Sequence, residues 1–318
     1  MRVATGAPGA RLLGLGDYRP SRVMTNHELE ALVETSDQWI RDRTGIATRR
    51  IAADDETVVD MGTAAAAKAV AAAGIDPTEI DLVLVATCSH RDRLPTVAPQ
   101  IASRLAIPTP AGLDINAACA GFCYALAQAS DAIRAGTAQH ALVVGAEKLS
   151  DIVDWTDRST CILFADGAGA AVVGPADEPG IGPVAWGCDG DRAEMITCLR
   201  DDPYLRMDGP AVFRWATTQL APIARTACER AGIAPADLGA VALHQANKRI
   251  IDAIVRVLGC ADAVVAHDVV DSGNTSAASI PMALTRLVES GAVGSGVPTL
   301  LLGFGSGLTY AGQVVLTP

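Results

Sequence analysis

Two stretches of this chain carry the same succession of apolar and polar positions. In the first, an alanine-rich run closes at Ala73-Gly74, the turn Ile75-Asp76-Pro77 follows, and beyond Asp81 stands the apolar segment Leu82-Val83-Leu84-Val85. In the second, the run closes at Ala231-Gly232, Ile233-Ala234-Pro235 makes the turn, and beyond Gly239 stands Val241-Ala242-Leu243. Each copy predicts a helix stopped by glycine, a proline turn with an acidic residue, and a short buried strand. The copies lie 158 residues apart in a chain of 318, and the spacing recurs: His140-Ala141-Leu142-Val143-Val144-Gly145 falls over Pro298-Thr299-Leu300-Leu301-Leu302-Gly303 as a strand ending in glycine. Such a period points to internal duplication.

Apolar strands alternating with helices predict parallel sheets covered by helices, an α/β fold. The expected halves, 1–174 and 175–318, would pack about a pseudo-twofold axis and place a site at their seam. Half of the residues are hydrophobic but only 4% are aromatic, so interior contacts must come from small side chains. No window approaches the run of about 18 apolar residues that a membrane span requires. The net charge of -11 argues against nucleic acid as a partner, because phosphate binding needs a basic face. The start Met1-Arg2-Val3-Ala4 carries no charged-then-apolar leader pattern, so a cytoplasmic location with reduced thiols is expected. The cysteines form no C-x-x-C pair, and no metal site is expected.

One cysteine stands apart by context. In Asp114-Ile115-Asn116-Ala117-Ala118-Cys119-Ala120-Gly121-Phe122 a short strand ends in small residues and a helix follows to Arg134. Unpaired N–H groups and the helix dipole should lower the Cys119 thiol pKa there, and the flanking alanines leave space around the sulfur. Cys88, Cys123, Cys161, Cys188, Cys198, Cys228 and Cys260 read as small packing residues. His244, in His244-Gln245-Ala246-Asn247, follows the strand Val241-Ala242-Leu243, at the strand end where open sheets bind ligands. Asn274 lies in the polar turn Asp271-Ser272-Gly273-Asn274-Thr275-Ser276. Gly303-Phe304-Gly305-Ser306-Gly307 could aim backbone N–H groups at a negative oxygen. Asp166-Gly167-Ala168-Gly169-Ala170 lacks a complete nucleotide-binding pattern and reads as a tight turn, as does Gly14-Leu15-Gly16.

Taken together, Asn116-Ala117-Ala118-Cys119-Ala120-Gly121-Phe122, His244-Gln245-Ala246-Asn247 and Gly273-Asn274-Thr275-Ser276-Ala277-Ala278-Ser279 resemble the β-ketoacyl-acyl carrier protein synthase III family of the thiolase fold. The resemblance spans nearly the whole chain and includes Ser36-Asp37-Gln38-Trp39-Ile40, Arg43-Thr44-Gly45-Ile46, Asp157-Arg158 and Phe164 to Ala170. It implies αβαβα layers and a catalytic triad of Cys119, His244 and Asn274. The N–H groups of Cys119 and Ser306 would form the oxyanion hole. Acyl-CoA would be a substrate, with no permanently bound cofactor, and a malonyl acyl carrier protein would supply the extender for a decarboxylative condensation. Trp39 and Arg158 would sandwich the CoA adenine, with Thr44, Asn247 and Arg249 along the pantetheine channel. Lys248, Arg249 and Arg256 would dock the acidic carrier protein.

The resemblance also implies a homodimer, in which Leu94 would reach across to limit acyl length. Two departures bear on the reaction. The segment Gly190 to Pro210, which helps to cover the site in the family, is short here, and Ser306 replaces a usual glycine or alanine. Two further readings stand beside condensation. The acyl group on Cys119 could pass to an alcohol, amine or other acceptor, or the chain could be a catalytically silent carrier-binding partner, against which the intact triad speaks.

Overall fold

The computed structural model describes residues 4–318. The two alanine-rich helices form as their ends dictate. Val58–Ala73 starts at a capping box between Thr57 and Asp60 and stops at Gly74, whose φ of 67° suits a residue without Cβ. Gly209–Ala231 starts where Asp208 accepts the Ala211 N–H and stops at Gly232, with φ of 71°.

The strands in chain order are β1 (Gly9–Tyr18), β2 (Arg22–Thr25), β3 (Thr48–Ile51), β4 (Leu82–Ala86), β5 (Ala111–Ile115), β6 (Ala141–Lys148) and β7 (Asp166–Ala176), then β8 (Ala185–Cys188), β9 (Ile196–Thr197), β10 (Arg206–Met207), β11 (Ala240–Leu243), β12 (Val264–Val265), β13 (Pro298–Phe304) and β14 (Thr309–Leu316). One five-stranded sheet is ordered β1-β7-β6-β4-β5 and the other β8-β14-β13-β11-β12. Strand for strand these are the same sheet twice, so the duplication read from the spacing is real. The expected division at 174/175 falls inside β7, and the link to the second sheet spans 177–184.

The sheets are mixed rather than parallel. β4, β5 and β6 run parallel, as do β11, β12 and β13, but β7 and β14 return antiparallel. For β14 the reason lies in the connection. A parallel return needs a crossover of a dozen or more residues, usually a helix, and only Gly305–Leu308 separates β13 from β14.

Helices Gly121–Arg134 and Ser279–Glu289 lie between the sheets, sharing one core with strands of both through Phe122, Leu126, Ile280 and Leu284. Each fully buried side chain of this size contributes about 2 kcal/mol. Val58–Ala73 covers the outer face of the first sheet and Gly209–Ala231 that of the second. The glycine runs read as turns are strand instead. Gly14-Leu15-Gly16 lies within β1 and Asp166 to Ala170 opens β7. A Cβ on Gly16 would stand 2.4 Å from the Ala65 carbonyl oxygen, and one on Gly169 2.6 Å from the Met282 nitrogen. These glycines let helix and sheet backbones approach, which is also why the chain is rich in small residues and poor in aromatics.

Candidate active site

The duplication builds the site. After β5, the Asn116 side chain accepts from the Ala118 N–H at 3.3 Å and Ala118 turns with φ of 46°. At the position 158 residues on, Asn274 accepts from the Ser276 N–H at 2.9 Å and Ser276 turns with φ of 48°. Each turn leads through one 3-10 turn into a central helix, at Gly121 and at Ser279. Cys119 therefore sits in the turn before the helix, not in its first residue, and its counterpart is Ala277. The two turns meet at the seam through glycines. A Cβ on Gly145 would fall 2.5 Å from the Ala277 carbonyl oxygen, and one on Gly303 3.0 Å from that of Cys119. Gly305 comes closer still to the nucleophile, since its Cβ would lie 2.7 Å from the Cys119 nitrogen.

His244 directly follows β11, buried, with its ring edge-on to Phe304 at 5.1 Å. Its Nδ1 lies 2.8 Å from Ser279 Oγ, which already accepts the Gln245 N–H at 3.2 Å. With the Ser279 hydroxyl proton on Nδ1, the neutral ring carries its own proton on Nε2, the tautomer that leaves a donor facing the cavity. Asn274 is fixed in the same way. Its backbone bridges Leu163 and Ala165, and its carboxamide oxygen is taken by Ser276, leaving the NH2 as the free end.

Cys119, His244, Asn274, Gly305 and Ser306 border one cavity of about 240 Å³. Among the described residues, neither the Cys119 nor the Ser306 N–H is given to a backbone carbonyl of the surrounding turns. Ser306 Oγ is turned away, donating to the Ile196 carbonyl at 2.7 Å. The short cover, Gly190 to Pro210, is ordered. It pairs β9 with β10 and brings Ile196, Thr197, Cys198, Leu205 and Met207 to the cavity wall.

Electrostatics correct one expectation. The Cys119 thiol is not lowered by the helix onset. Burial pushes it up to about 12, with a Ser276 hydrogen bond pulling it down and the Glu147 carboxylate pushing it up. Part of the residue faces the cavity, but its sulfur is surrounded by protein, and desolvation of the thiolate outweighs the dipole. Burial also lowers His244 to about 3, so the imidazole is neutral throughout the physiological range.

A second cavity of about 630 Å³ opens outward from the first, and Met207, Val212, Ala246, Asn274 and Phe304 line both. Trp39, Thr44, Asn247 and Arg249 border it. Thr44 is buried, its hydroxyl donating to the Ile40 carbonyl at 2.7 Å and accepting the Ile46 N–H at 3.0 Å, so it shapes the wall rather than offering a free donor. Asn247 caps the helix Lys248–Leu258 and donates to the Arg43 carbonyl at 3.0 Å. Arg249 stacks on Phe213 at 5.1 Å. Arg158 stands 5.1 Å from the centre of the Trp39 ring, in direct cation–π contact, so a third ring between them requires that pair to part. Lys248 is paired with Asp252 at 2.7 Å, while Arg256 is exposed. Leu94 is 83% exposed and lines neither cavity.

Three cysteines read as packing residues are not. Cys188 and Cys198 are exposed, and half-buried Cys88 lines the inner cavity. Sequence reasoning also missed Glu147, Ser276 as an individual residue, and Ser279. The signal for Glu147 was present: an acidic residue closing an otherwise apolar strand in the same half as the cysteine.

Two copies of one five-stranded unit, meeting around a cysteine, a neutral imidazole and a carboxamide, define a condensing enzyme of the thiolase fold. Residues 113–190 match the family model for 3-oxoacyl-[acyl-carrier-protein (ACP)] synthase III, and residues 228–317 match its C-terminal counterpart. The chain is 55% identical over 313 residues to beta-ketoacyl-[acyl-carrier-protein] synthase III 4 of Streptomyces coelicolor, covering 98% of this chain and 99% of that protein. It superposes on the priming beta-ketosynthase from the R1128 polyketide biosynthetic pathway with a TM-score of 0.98 and 48% identity, covering 100% of this chain and 98% of that one. For 3-oxoacyl-[acyl-carrier-protein] synthase III from Aquifex aeolicus VF5 the TM-score is 0.93 at 40% identity, with 98% and 100% covered. The chain belongs to the β-ketoacyl-acyl carrier protein synthase III family and is an enzyme of its condensing, acyltransferase type.

Proposed function

We propose that the enzyme takes an acyl group from acyl-CoA onto Cys119 and condenses it with a malonyl group carried by acyl carrier protein, giving a β-ketoacyl product that starts a fatty-acid or polyketide chain. The observation that carries this reading is a pair of neighbouring cavities with a common wall of Met207, Val212, Ala246, Asn274 and Phe304, the outer bordered by Arg249 and Trp39 and the inner by Cys119 and His244. A pantetheine arm entering there delivers its thioester to the sulfur. Cys119 Sγ attacks the acyl carbon, and the N–H groups of Cys119 and Ser306 stabilise the tetrahedral oxyanion. CoA leaves as its thiol. The malonyl thioester then places its carbonyl oxygen between His244 Nε2–H and the Asn274 NH2. Loss of CO₂ leaves an enolate held by those two donors, and its carbon attacks the acyl-cysteine. This step calls for hydrogen-bond donors rather than a strong base, which suits a ring kept neutral.

Trp39 and Arg158 hold the CoA adenine once their mutual contact opens, with Thr44, Asn247 and Arg249 along the arm. The acidic carrier protein meets Lys248, Arg249 and Arg256 at the rim, a local basic patch on an otherwise acidic surface. The enzyme works in the cytoplasm as a homodimer. The unpaired edge of β5, on which Leu113 is 41% exposed, and the exposed Leu94 support that assembly, in which Leu94 reaches a neighbouring acyl pocket.

Incubation with acyl-CoAs followed by intact-mass measurement should add one acyl group at Cys119, and malonyl carrier protein should then release CO₂ and a β-ketoacyl product. An adduct without CO₂ or ketoacyl product would overturn condensation in favour of transfer to another acceptor. The pH dependence of decarboxylation offers a second check. Neutral His244 is the working form, and its pKa lies at about 3 rather than the ordinary 6.5. As pH falls through 6.5 the ring keeps its neutral donor, so CO₂ release should show no inflection there. A halving of the rate near pH 6.5, seen in a stopped assay between about pH 5 and 8, would contradict the buried neutral ring.

A further inference from the structure

The cover is fastened unevenly. At its base, where β9 and β10 pair, Ser306 Oγ donates to the Ile196 carbonyl and the Asp208 N–H to the Met195 carbonyl at 2.9 Å. Beyond the base the chain folds back at 199–202, the Leu199 N–H donating to the Asp202 carbonyl at 3.0 Å. Cys198 and Leu205 of this tip border the inner cavity. Among the described residues, no side chain of 198–205 hydrogen-bonds outside the cover. Two links join the tip to the cysteine-bearing half. The Leu205 N–H donates to the Ile152 carbonyl at 2.8 Å, and Arg206 beside it reaches across. Arg206 gives Nε and Nη2 to the Asp202 carboxylate at 2.8 and 3.1 Å, and Nη1 to Asp154 at 2.8 Å, with Asp157 at 3.8 Å. Asp154 and Asp157 are set by their own turns, Asp154 accepting the Thr156 N–H at 3.0 Å and Asp157 the Ser159 N–H at 2.9 Å.

Resting on the reading of Cys119 as acyl acceptor, we infer that Arg206 is a specificity-determining residue: it fastens the tip of the cover to the loop 152–157 and so confines the acyl group on Cys119 to a short apolar chain. The size limit follows from volume. A cavity of ~150 Å³ takes a benzene ring. The inner cavity is about 240 Å³ and has to admit the thioester and the extender as well. The chemistry follows from its wall, where Leu149, Ile152, Phe164, Ile196 and Leu205 offer an acyl chain neither charge nor a hydrogen-bonding side chain. Ile152 and Leu205 stand on the two segments that Arg206 joins. A longer chain has to part them, which breaks the Leu205–Ile152 backbone bond and draws the guanidinium off Asp154.

Geometry gives this link its strength. A lone exposed ion pair stabilises little, but a guanidinium forked on one carboxylate and shared with two others forms a network. The Tyr204 ring, its centre 5.5 Å away, backs the fork. Arg206 holds the Asp202 carboxyl below the ordinary carboxylate range. Asp154 is pushed down to about 2, by Thr156 first and Arg206 next, so both stay anions throughout the neutral range. The Arg206 side chain is 39% exposed and lines neither cavity, so its removal opens no hole in the core and leaves Asp154 and Asp202 within reach of water. Arg206 touches no reacting atom; it acts through Ile152 and Leu205 as a positioning residue.

The test pairs two measurements: the rate of Cys119 acylation by straight-chain acyl-CoAs from acetyl to dodecanoyl, followed by intact mass, and amide hydrogen exchange across 198–205. Arg206→Gln should raise the rate with decanoyl-CoA relative to propionyl-CoA by at least about fivefold and speed exchange of the tip about tenfold. Asp154→Asn leaves Arg206 on Asp202 but cuts the link to the loop, and should do the same. Arg206→Lys keeps the charge without the fork and should fall between. A general loss of stability slows both substrates alike and leaves their ratio where it was. An unchanged ratio in Arg206→Gln and Asp154→Asn would overturn the specificity role, and tip exchange no faster than in the unmodified enzyme would overturn the fastening. If the unmodified enzyme forms no adduct with any acyl-CoA, the acyl-acceptor reading fails and the specificity role with it, while exchange still shows whether Arg206 fastens the cover.

Discussion

Replacement of Cys119 by alanine is expected to abolish the acyl-enzyme and lower condensation by about 10⁴- to 10⁶-fold, as loss of a nucleophile does elsewhere, while malonyl carrier protein continues to lose CO₂. The separation follows from how the parts are held. The Cys119 turn is set by Asn116 and by the close approach of Gly303 and Gly305, none of which depends on the sulfur. The donors for decarboxylation are anchored independently, His244 by Ser279 and Asn274 by the Ser276 N–H. Removing one sulfur from the cavity edge should change stability by less than about 1 kcal/mol. With no acyl-cysteine to attack, the enolate is protonated and the carrier leaves with an acetyl group. Parallel loss of CO₂ release and acylation would mean that Cys119 also orders the malonyl pocket.

The elements legible in the sequence were those whose spacing the duplication repeats. Ala73-Gly74 and Ala231-Gly232 mark helix ends that the structure reproduces, and Asn116 and Asn274 prove to be the same turn residue used twice, one beside the nucleophile and one lining its cavity. Strand direction was not legible, because it depends on whether a connection is long enough to cross over, and Gly305–Leu308 is not. The glycines of β1 and β7 looked like turns because sequence records a missing Cβ but not what occupies its space. Here that space holds the backbones of Val58–Ala73 and Ser279–Glu289. The Cys119 thiol went the other way from expectation because a helix onset is local while burial comes from Leu149, Ile152, Phe164 and the cover segment, distant in sequence. Glu147 was hidden for a related reason. In Ala146-Glu147-Lys148 the charges read as a strand leaving the core, whereas both side chains are buried, on opposite faces of a strand covered on either side.

Replacement of His244 by alanine is expected to cost about 10²- to 10³-fold in CO₂ release, the scale for losing one donor to a developing oxyanion. Acylation of Cys119 should be nearly unchanged. The ring contributes only Nε2–H to the reaction, since Nδ1 is committed to Ser279 and burial keeps the ring from gaining a second proton. Its removal leaves the Ser279 hydroxyl without its acceptor inside the protein, a stability cost of about 1–3 kcal/mol, so the variant should be compared at a temperature where it remains folded. Loss of Asn274 in addition should add less than its separate effect, because both donors grip one oxygen. Acylation and decarboxylation thus draw on different groups: the N–H groups of Cys119 and Ser306 serve the acyl thioester, His244 and Asn274 the extender carbonyl. Measuring the acyl adduct and CO₂ release on the same His244→Ala sample separates them. If acylation falls as far as decarboxylation, the imidazole also acts as the base for Cys119.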